Sequence, residues 1–371
     1  MQLRSKNVKA PYNASQAHHA RKHMLVKFLG AGDNGDTFAA LSKADADRII
    51  AKHNAYNILT PAFFNELRAA VTAVKFYKPS NLEGDLQNEI DFLTKTITTK
   101  HPRITPCLDS HVRGASQSLT LPFCSGGNLV SFCKHAAAFT PSFIFHVGMQ
   151  LTEAASLLLF GITDCDNMTP APEHPTVYHG DVWAGNTLLT LPGNGQSGFG
   201  NFPNVVMADF GRATKLHENA DSTERARHLR RQWTDIDYIG VIMTGLYEDM
   251  HDKTDVFDVS CPAHGVNNGY CADCITATMQ ARLTDDILHL WIVQFSDVAY
   301  AVNRPITEVI PFLKRFIATA KRQRTLHYRP LSAEAVADLS AEKITDGELS
   351  LALMQRLTNG RFGEKAFEVK R

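Results

Sequence analysis

Residues 177–189 read VYHGDVWAGNTLL and place His179, Asp181 and Asn186 between two apolar flanks. Asp and Asn are common turn formers, so the stretch could simply join two buried strands. In the same position, however, a carboxylate can accept a hydroxyl proton and a carboxamide can offer its oxygen to a hard cation. The stretch therefore predicts either a turn or a reaction centre, and other parts of the chain must distinguish the two.

A second carboxylate ends another apolar run. Asp209 directly follows VVMA (205–208) and precedes Phe210 and Gly211, so a charged side chain stands where a buried strand must bend. Such a carboxylate commonly binds a metal or a helix N-terminus. Together with Asn186 it favours a Mg²⁺ site, because Mg²⁺ takes one or two protein oxygens and completes its shell with phosphates and water.

The N-terminal part contains a glycine-rich turn. MLVKFLGAGDNGDTFAAL (24–41) predicts strand, turn and strand, with Gly30, Gly32 and Gly35 in a GxGxxG pattern. That pattern is common by chance, and a bare hairpin explains it equally well. Between two antiparallel strands it disfavours a dinucleotide-binding fold and favours a flap over nucleotide phosphates.

A lysine lies inside an apolar strand. Lys75 belongs to VTAVKFYK (71–78), where an ammonium needs either a partner or an exposed edge. In the following segment, LEGDLQNEIDFLTKTI (82–97), the apolar residues recur with helical spacing, and Glu89 flanks that stripe. Glu89 is therefore an available counter-ion, and such a pair can hold a lysine against nucleotide phosphates.

Length and pattern together predict two lobes. A chain of 371 residues exceeds the roughly 250–300 residues that one hydrophobic core usually serves. Strand signals dominate before residue 122, and helical signals dominate after residue 128. We expect a small lobe at 1–121 with a helical insertion at 41–70, a hinge at 122–128, a large lobe at 129–331, and a polar tail at 332–371 that packs as one helix or frays.

The motifs, taken in chain order, resemble those of the eukaryotic protein kinase family. The segments are LGAGDNGDT, AVK ending at Lys75, NEI with Glu89 at its centre, HGDVWAGN, DFG starting at Asp209 and DIDYIG starting at Asp235. The resemblance covers about residues 24–330. It implies an α+β, bilobal kinase-like fold with a small β-rich lobe and a larger, mainly α-helical lobe, and it implies ATP and Mg²⁺ as ligands.

The resemblance also implies roles for single residues. Asp181 would position or deprotonate an acceptor hydroxyl, and Asn186 and Asp209 would hold Mg²⁺. Lys75, paired with Glu89, would anchor the phosphates beneath a flap formed by the three glycines.

The segment LPFCSGGNL (121–129) is similar to the family's hinge. It would place Leu121 at the gatekeeper position and the backbone through Phe123 and Cys124 near adenine. Asp235 would steady the catalytic loop.

Several departures leave the acceptor open. Gly180 replaces the arginine of HRD, Trp183 stands where protein Ser/Thr kinases carry lysine, and Asp235 follows Asp209 by only 26 positions without an APE triplet. HGDVWAGN is locally closer to small-molecule kinases of the aminoglycoside and fructosamine type. We expect a protein serine/threonine kinase, and the alternatives are a pseudokinase that binds nucleotide or acts as a scaffold, and a small-molecule kinase.

A separate cluster could bind zinc. CPAHGVNNGYCADC, within an insertion at 251–275, supplies Cys261, His264, Cys271 and Cys274 as CxxH and CxxC half-sites. Both gaps suit neighbouring ligands of a tetrahedral ion, so a structural Zn²⁺ is one expectation. Unligated buried cysteines and a redox pair are the alternatives.

Composition restricts the partners only weakly. Lys and Arg number 38 against 38 Asp and Glu, so charge gives no support for a nucleic-acid or membrane partner. The seven cysteines follow no disulfide framework, and the start lacks the apolar core of a secretion signal. We therefore expect an intracellular protein, cytoplasmic or nuclear. The resemblance to kinases adds ATP and a protein or small-molecule acceptor as its expected partners.

Overall fold

The computed structural model describes twelve segments of the chain: 19–31, 35–53, 60–77, 83–97, 99–113, 116–135, 139–190, 199–251, 287–300, 306–333, 335–336 and 344–357. The chain divides into two compact units. The N-terminal unit comprises Met1–Ile90, Pro106–Phe123 and Lys343–Arg371, and the C-terminal unit comprises Asp91–Thr105 and Cys124–Glu342.

The N-terminal unit is built on a five-stranded antiparallel sheet of order β1-β2-β3-β5-β4. Its strands are β1 (His23–Ala31), β2 (Gly35–Ser42), β3 (Val71–Tyr77), β4 (Asp109–Arg113) and β5 (Ser116–Pro122). On the central strand β3, Lys75 pairs with Thr37 of β2 and with Leu119 of β5. Lys75 is therefore not an edge residue, which was the alternative left open by the sequence.

The predicted insertion at 41–70 forms two helices within the described residues. These are α1 (Lys43–His53) and α2 (Pro61–Ala69). Thr60 caps α2 by accepting the Phe63 N–H at 3.4 Å, and Pro61 occupies the first turn, where a missing N–H costs nothing. Phe63 and Leu67 are fully buried, so this layer belongs to the core of the unit.

The amphipathic segment after β3 is helical, as its spacing indicates. Helix α3 spans Glu83–Asp91 and continues as a π-helical turn at Phe92–Thr96. Glu89 and Ile90 are buried on the last turn of α3. The unit boundary falls within this helix, after Ile90.

The C-terminal unit is mostly helical. Its elements are α4 (Leu129–His135), α5 (Pro141–Phe160), β6 (Val177–Tyr178), β7 (Thr187–Thr190), β8 (Asn204–Met207), β9 (Thr214–Lys215), α6 (Ser222–His251), α7 (Ile287–Tyr300) and α8 (Ile306–Leu326). A sheet-rich unit and a helical unit together confirm the α+β class.

Helix α5 is the central helix of this unit. Its N-cap is Thr140, whose Oγ1 accepts the Phe143 N–H, and it ends at Gly161 with φ 67°. By length and composition α5 could cross a membrane, yet 94% of its most apolar window is buried inside the protein. That burial is what the core helix of a globular unit shows.

Two short antiparallel pairs position the loops of the C-terminal unit. β7 pairs with β8, and β6 pairs with β9. Residues 191–198, between β7 and β8, lie outside the described residues. The loop between β6 and β7 and the loop after β8 carry the HGDVWAGN and DFG segments.

The last described helix, α9 (Asp346–Leu357), lies in the N-terminal unit. Its Leu349 and Ala352 are buried in one cluster with Phe63 of α2. Arg68 Nε of α2 donates to the Ile344 carbonyl at 2.7 Å. These described residues of the polar tail pack as a helix against the sheet-bearing unit.

Candidate active site

The N-terminal unit joins Lys75 and Glu89 in an ion pair. Lys75 Nζ lies 3.0 Å from Glu89 Oε2, and their side chains are 12% and 1% exposed. The Tyr77 hydroxyl donates to the same carboxylate oxygen. Lys75 and Tyr77 are two residues apart on β3 and therefore share one face of the strand, which is the signal in the sequence that would have singled out Tyr77.

The three glycines of the GxGxxG pattern differ in what the structure requires of them. A Cβ at Gly35 would lie 2.3 Å from the Phe76 carbonyl oxygen, so close packing of β2 on β3 explains this glycine without any ligand. A Cβ at Gly30 would meet nothing within 4 Å, so no steric reason for glycine exists there among the described residues. Gly32 lies outside the described residues.

The predicted hinge residues are at least partly buried. Leu121 is buried at the end of β5, opposite Ala73 of β3, and Phe123 packs against the core of the N-terminal unit. Cys124 is buried in the C-terminal unit, and burial raises the pKa of its thiol to about 12. Cys124 is therefore an apolar packing residue with no thiolate character at neutral pH.

The loop after β6 is held by Asp235. The Asp235 carboxylate accepts the backbone N–H of His179 and that of Gly180, the latter at 3.0 Å. Asp235 is only 4% exposed, and burial raises the pKa of its carboxyl to about 7 even though both N–H donors favour the charged form. One side chain on α6 thus fixes the backbone that leads to Asp181.

His179 has a structural role in the same loop. It is fully buried, its Nε2 lies 3.1 Å from the Ala208 carbonyl oxygen, and its Nδ1 accepts the Asp181 N–H at 3.2 Å. Burial lowers the pKa of His179 to about 4. A neutral ring with its proton on Nε2 satisfies both bonds, so His179 ties the loop before Asp181 to the strand end before Asp209.

Asp181 is held at both carboxylate oxygens. Asn186 Nδ2 donates to Asp181 Oδ2 at 2.8 Å and also to its backbone carbonyl at 2.9 Å. Arg212 Nη1 lies 3.3 Å from Oδ1, and the Arg212 side chain is 65% exposed. The structure therefore adds Arg212 to the predicted site residues and brings a positive charge next to Asp181.

Asn186 and Asp209 are brought to the same end of one strand pair. Asn186 directly precedes β7, Asp209 follows β8 after one residue, and the Ala208 N–H donates to the Asn186 carbonyl at 3.0 Å. Asp209 has φ 63° and ψ 75°, a left-handed conformation that is rare for a residue with a side chain. That conformation turns the chain sharply out of β8.

The residue after Asp209 anchors this turn in the core. The Phe210 ring is fully buried, stacks on Phe92 at 5.2 Å between ring centroids, and lies 4.6 Å from the His179 ring. Burial of an aromatic side chain of this size contributes roughly 2–3 kcal/mol. The left-handed backbone of Asp209 is therefore maintained by packing on its C-terminal side.

The oxygen atoms at this strand end suit a hard divalent cation. Both described bonds of the Asn186 side chain use its nitrogen, which leaves the amide oxygen as the coordinating atom, and Asp209 supplies a carboxylate. Among the described residues, no group of three or more His, Cys, Asp and Glu side chains could hold a metal. Two protein oxygens fit Mg²⁺, which completes its shell with phosphate and water.

Two residues in the loop between β6 and β7 differ from the protein-kinase pattern, and the surrounding structure explains each difference. Gly180 has φ 75°, and a Cβ there would lie 2.9 Å from the Arg212 carbonyl oxygen, so this backbone does not accommodate an arginine without strain. Trp183 is 45% exposed, and its indole occupies the space where a side chain at Gly185 would be. The loop therefore presents an aromatic surface near Asp181 in the chain.

The segment between DFG and α6 is held by strand pairing and by the side chain of Arg225. β9 pairs with β6, and the Leu216 N–H donates to the Thr176 carbonyl at 2.9 Å. Arg225 Nε donates to the Ala220 carbonyl at 2.9 Å, and its Nη2 donates to the Glu218 carbonyl at 3.1 Å. These contacts hold the segment in place between β6 and α6.

The predicted zinc ligands Cys261, His264, Cys271 and Cys274 lie outside the described residues. The chain matches no protein-family model, and no curated protein sequence matches it.

Proposed function

We propose that this protein is an ATP- and Mg²⁺-dependent phosphotransferase with a bilobal protein kinase-like fold, and that it transfers the γ-phosphate to a protein serine or threonine hydroxyl. The observation that carries the proposal is that hydrogen bonds link the positions of Asp181, Asn186 and Asp209 within the C-terminal unit. Asp181 is bonded to Asn186, and the backbone of Asn186 is bonded to the residue before Asp209.

The described contacts support a positioning mechanism. Asn186 orients Asp181 by two hydrogen bonds, and Asp235 and His179 immobilise the backbone on either side of Gly180. Phosphoryl transfer demands little covalent work from the protein, so orientation and charge neutralisation supply most of the acceleration. Asp181 would orient the acceptor hydroxyl and accept its proton late in the transfer.

Charge neutralisation would come from the remaining residues. Asn186 and Asp209 would hold Mg²⁺, which neutralises phosphate charge when it is bound. Lys75 would contact the phosphates while Glu89 keeps its ammonium oriented. Gly30, where a Cβ would meet no described atom within 4 Å, would allow the backbone to approach the phosphates closely.

One observation favours a small-molecule acceptor as a second candidate. Trp183 offers an exposed, flat apolar surface two residues after Asp181, where a protein kinase has a lysine. Such a surface suits a ring-shaped acceptor with hydroxyl groups. The pseudokinase alternative has less support, since none of the proposed phosphate and metal ligands is replaced.

Transfer of radiolabelled γ-phosphate from ATP tests the proposal. The wild-type protein should label protein acceptors, and Asp181→Asn should abolish labelling. Asp166→Asn is the matched control, because Asp166 is 78% exposed in the same unit and its exposed ion pair contributes little. Labelling of sugars, amines or alcohols alone would select the small-molecule kinase. Absence of any transfer by the wild type would contradict the proposal.

A further inference from the structure

We infer that Tyr77 is a positioning residue of the nucleotide site, which keeps Glu89 and Lys75 oriented while Lys75 engages phosphate. The inference rests on the proposed function and adds a residue to it. Three contacts converge here: Lys75 Nζ is 3.0 Å from Glu89 Oε2, the Tyr77 hydroxyl donates to that same oxygen, and the ammonium lies 5.0 Å from the centre of the Tyr77 ring.

The Glu89 carboxylate is expensive to bury. It is 1% exposed, and an ionised carboxylate in such a place requires hydrogen-bond donors. If Lys75 were its only donor on β3, each approach of the ammonium to a phosphate would weaken the bond that keeps Glu89 in place. The Tyr77 hydroxyl does not interact with the nucleotide in this scheme, so its bond to Glu89 persists when Lys75 shifts.

Tyr77 also restricts Lys75 directly. The Lys75 ammonium contacts the Glu89 carboxylate and also lies over the Tyr77 ring. A cation near the face of an aromatic ring is attracted to that ring. The long lysine side chain thus loses part of its rotamer freedom before the nucleotide arrives. Pre-organisation of this kind lowers the entropic cost of binding.

The decisive test compares Tyr77→Phe in two backgrounds. Calorimetric titration with a non-hydrolysable ATP analogue and Mg²⁺ gives the dissociation constant of the wild type, Tyr77→Phe, Lys75→Met and the double variant. Because this hydrogen bond is made to a charged group, its loss should leave Lys75 less well oriented and raise the dissociation constant about 5- to 10-fold, which is about 1.0–1.4 kcal/mol. With Lys75 already removed, Tyr77→Phe should have no further effect.

Tyr328→Phe is the matched control, because it removes a hydroxyl that bonds only to the half-buried Asn201 among the described contacts. An unchanged dissociation constant in Tyr77→Phe, or an equal weakening with and without Lys75, would overturn the inference. The second result would show a general packing effect instead of action through Lys75.

A parallel measurement separates this inference from the proposed function. Melting temperatures of the wild type, Tyr77→Phe, Glu89→Gln and the double variant should be non-additive if the hydroxyl bonds to Glu89. If the wild type binds no nucleotide but the cycle is non-additive, the proposed function fails while the contact stands. Additive shifts would refute the contact itself.

Discussion

Replacing Asn186 with aspartate separates two roles that one side chain performs in our proposal. The Asn186 nitrogen donates to Asp181 Oδ2 at 2.8 Å and to the Asp181 carbonyl at 2.9 Å, and the amide oxygen is the proposed Mg²⁺ ligand. Aspartate keeps a coordinating oxygen but cannot donate either bond. Alanine removes the ligand as well.

The expected loss follows from those two bonds. A bond to a neutral carbonyl contributes about 0.5–1.5 kcal/mol and a bond to a carboxylate about 1.5–3 kcal/mol, so together they hold Asp181 with about 2–4.5 kcal/mol. If that energy is used to orient Asp181, kcat should fall roughly 30- to 2,000-fold, since each 1.36 kcal/mol is a factor of ten. Asn186→Asp should nevertheless keep a Mg²⁺ requirement close to that of the wild type.

Steady-state phosphate transfer measured over a series of Mg²⁺ concentrations provides the assay. Asn186→Ala should show both a lower kcat and a higher Mg²⁺ requirement. Asn167→Asp is the matched control, because its amide nitrogen also donates to an aspartate, Asp164, but on an exposed loop. A full kcat in Asn186→Asp would refute the positioning role, and identical Mg²⁺ dependence in the two Asn186 variants would refute the metal role.

Three further outcomes are expected. Burial raises the pKa of Asp235 to about 7, so its carboxyl contributes stability that is full below about pH 4 and is lost as the pH rises to about 7. Urea unfolding followed by tryptophan fluorescence should show this loss of stability in the wild type but not in Asp235→Asn. If the unfolding free energy changed with pH in the same way in both proteins, this role of Asp235 would be excluded. Gly180→Ala should destabilise the C-terminal unit by about 1–2 kcal/mol, because alanine disfavours the left-handed backbone; the same unfolding assay measures this, and a change under about 0.5 kcal/mol would contradict it. Leu349→Ala should cost about 2–4 kcal/mol in the core of the N-terminal unit, seen as faster hydrogen exchange in β1 and β2, and unchanged exchange would argue against this packing.

Tryptophan fluorescence suits these experiments because all three tryptophans belong to one unit. Trp183, Trp233 and Trp291 lie in the C-terminal unit. Unfolding followed through them therefore reports on the unit that carries Asp181, Asn186 and Asp209, without a contribution from the sheet-bearing unit.

The parts of the fold that follow local periodicity could be predicted from the sequence. The β-branched and aromatic residues of 71–78 indicated β3, and the helical spacing around Glu89 indicated α3. Each of these signals arises from residues close together in the chain. The Lys75–Glu89 contact also followed, since a buried ammonium requires a nearby carboxylate.

Other features depend on contacts that periodicity does not encode. Arg212 reaches Asp181 because the left-handed Asp209 redirects the chain after β8, and a backbone outlier of this kind is not visible in composition. The sequence places Tyr77 on the same strand face as Lys75, but it does not show that the Tyr77 hydroxyl bonds to Glu89. The burial of Leu349 against α2 joins residues far apart in the chain, which no local pattern predicts.

The most direct test of the proposed site is the thermal stability of the protein with a non-hydrolysable ATP analogue, measured with and without Mg²⁺. At about 100 times the dissociation constant, a ligand specific for the folded state adds about 2.7 kcal/mol of stability. We expect a clear rise in melting temperature only when Mg²⁺ is present, and we expect Asp209→Asn to remove that Mg²⁺-dependent rise. A rise that is the same without Mg²⁺, or that persists unchanged in Asp209→Asn, would contradict the shared metal site of Asn186 and Asp209.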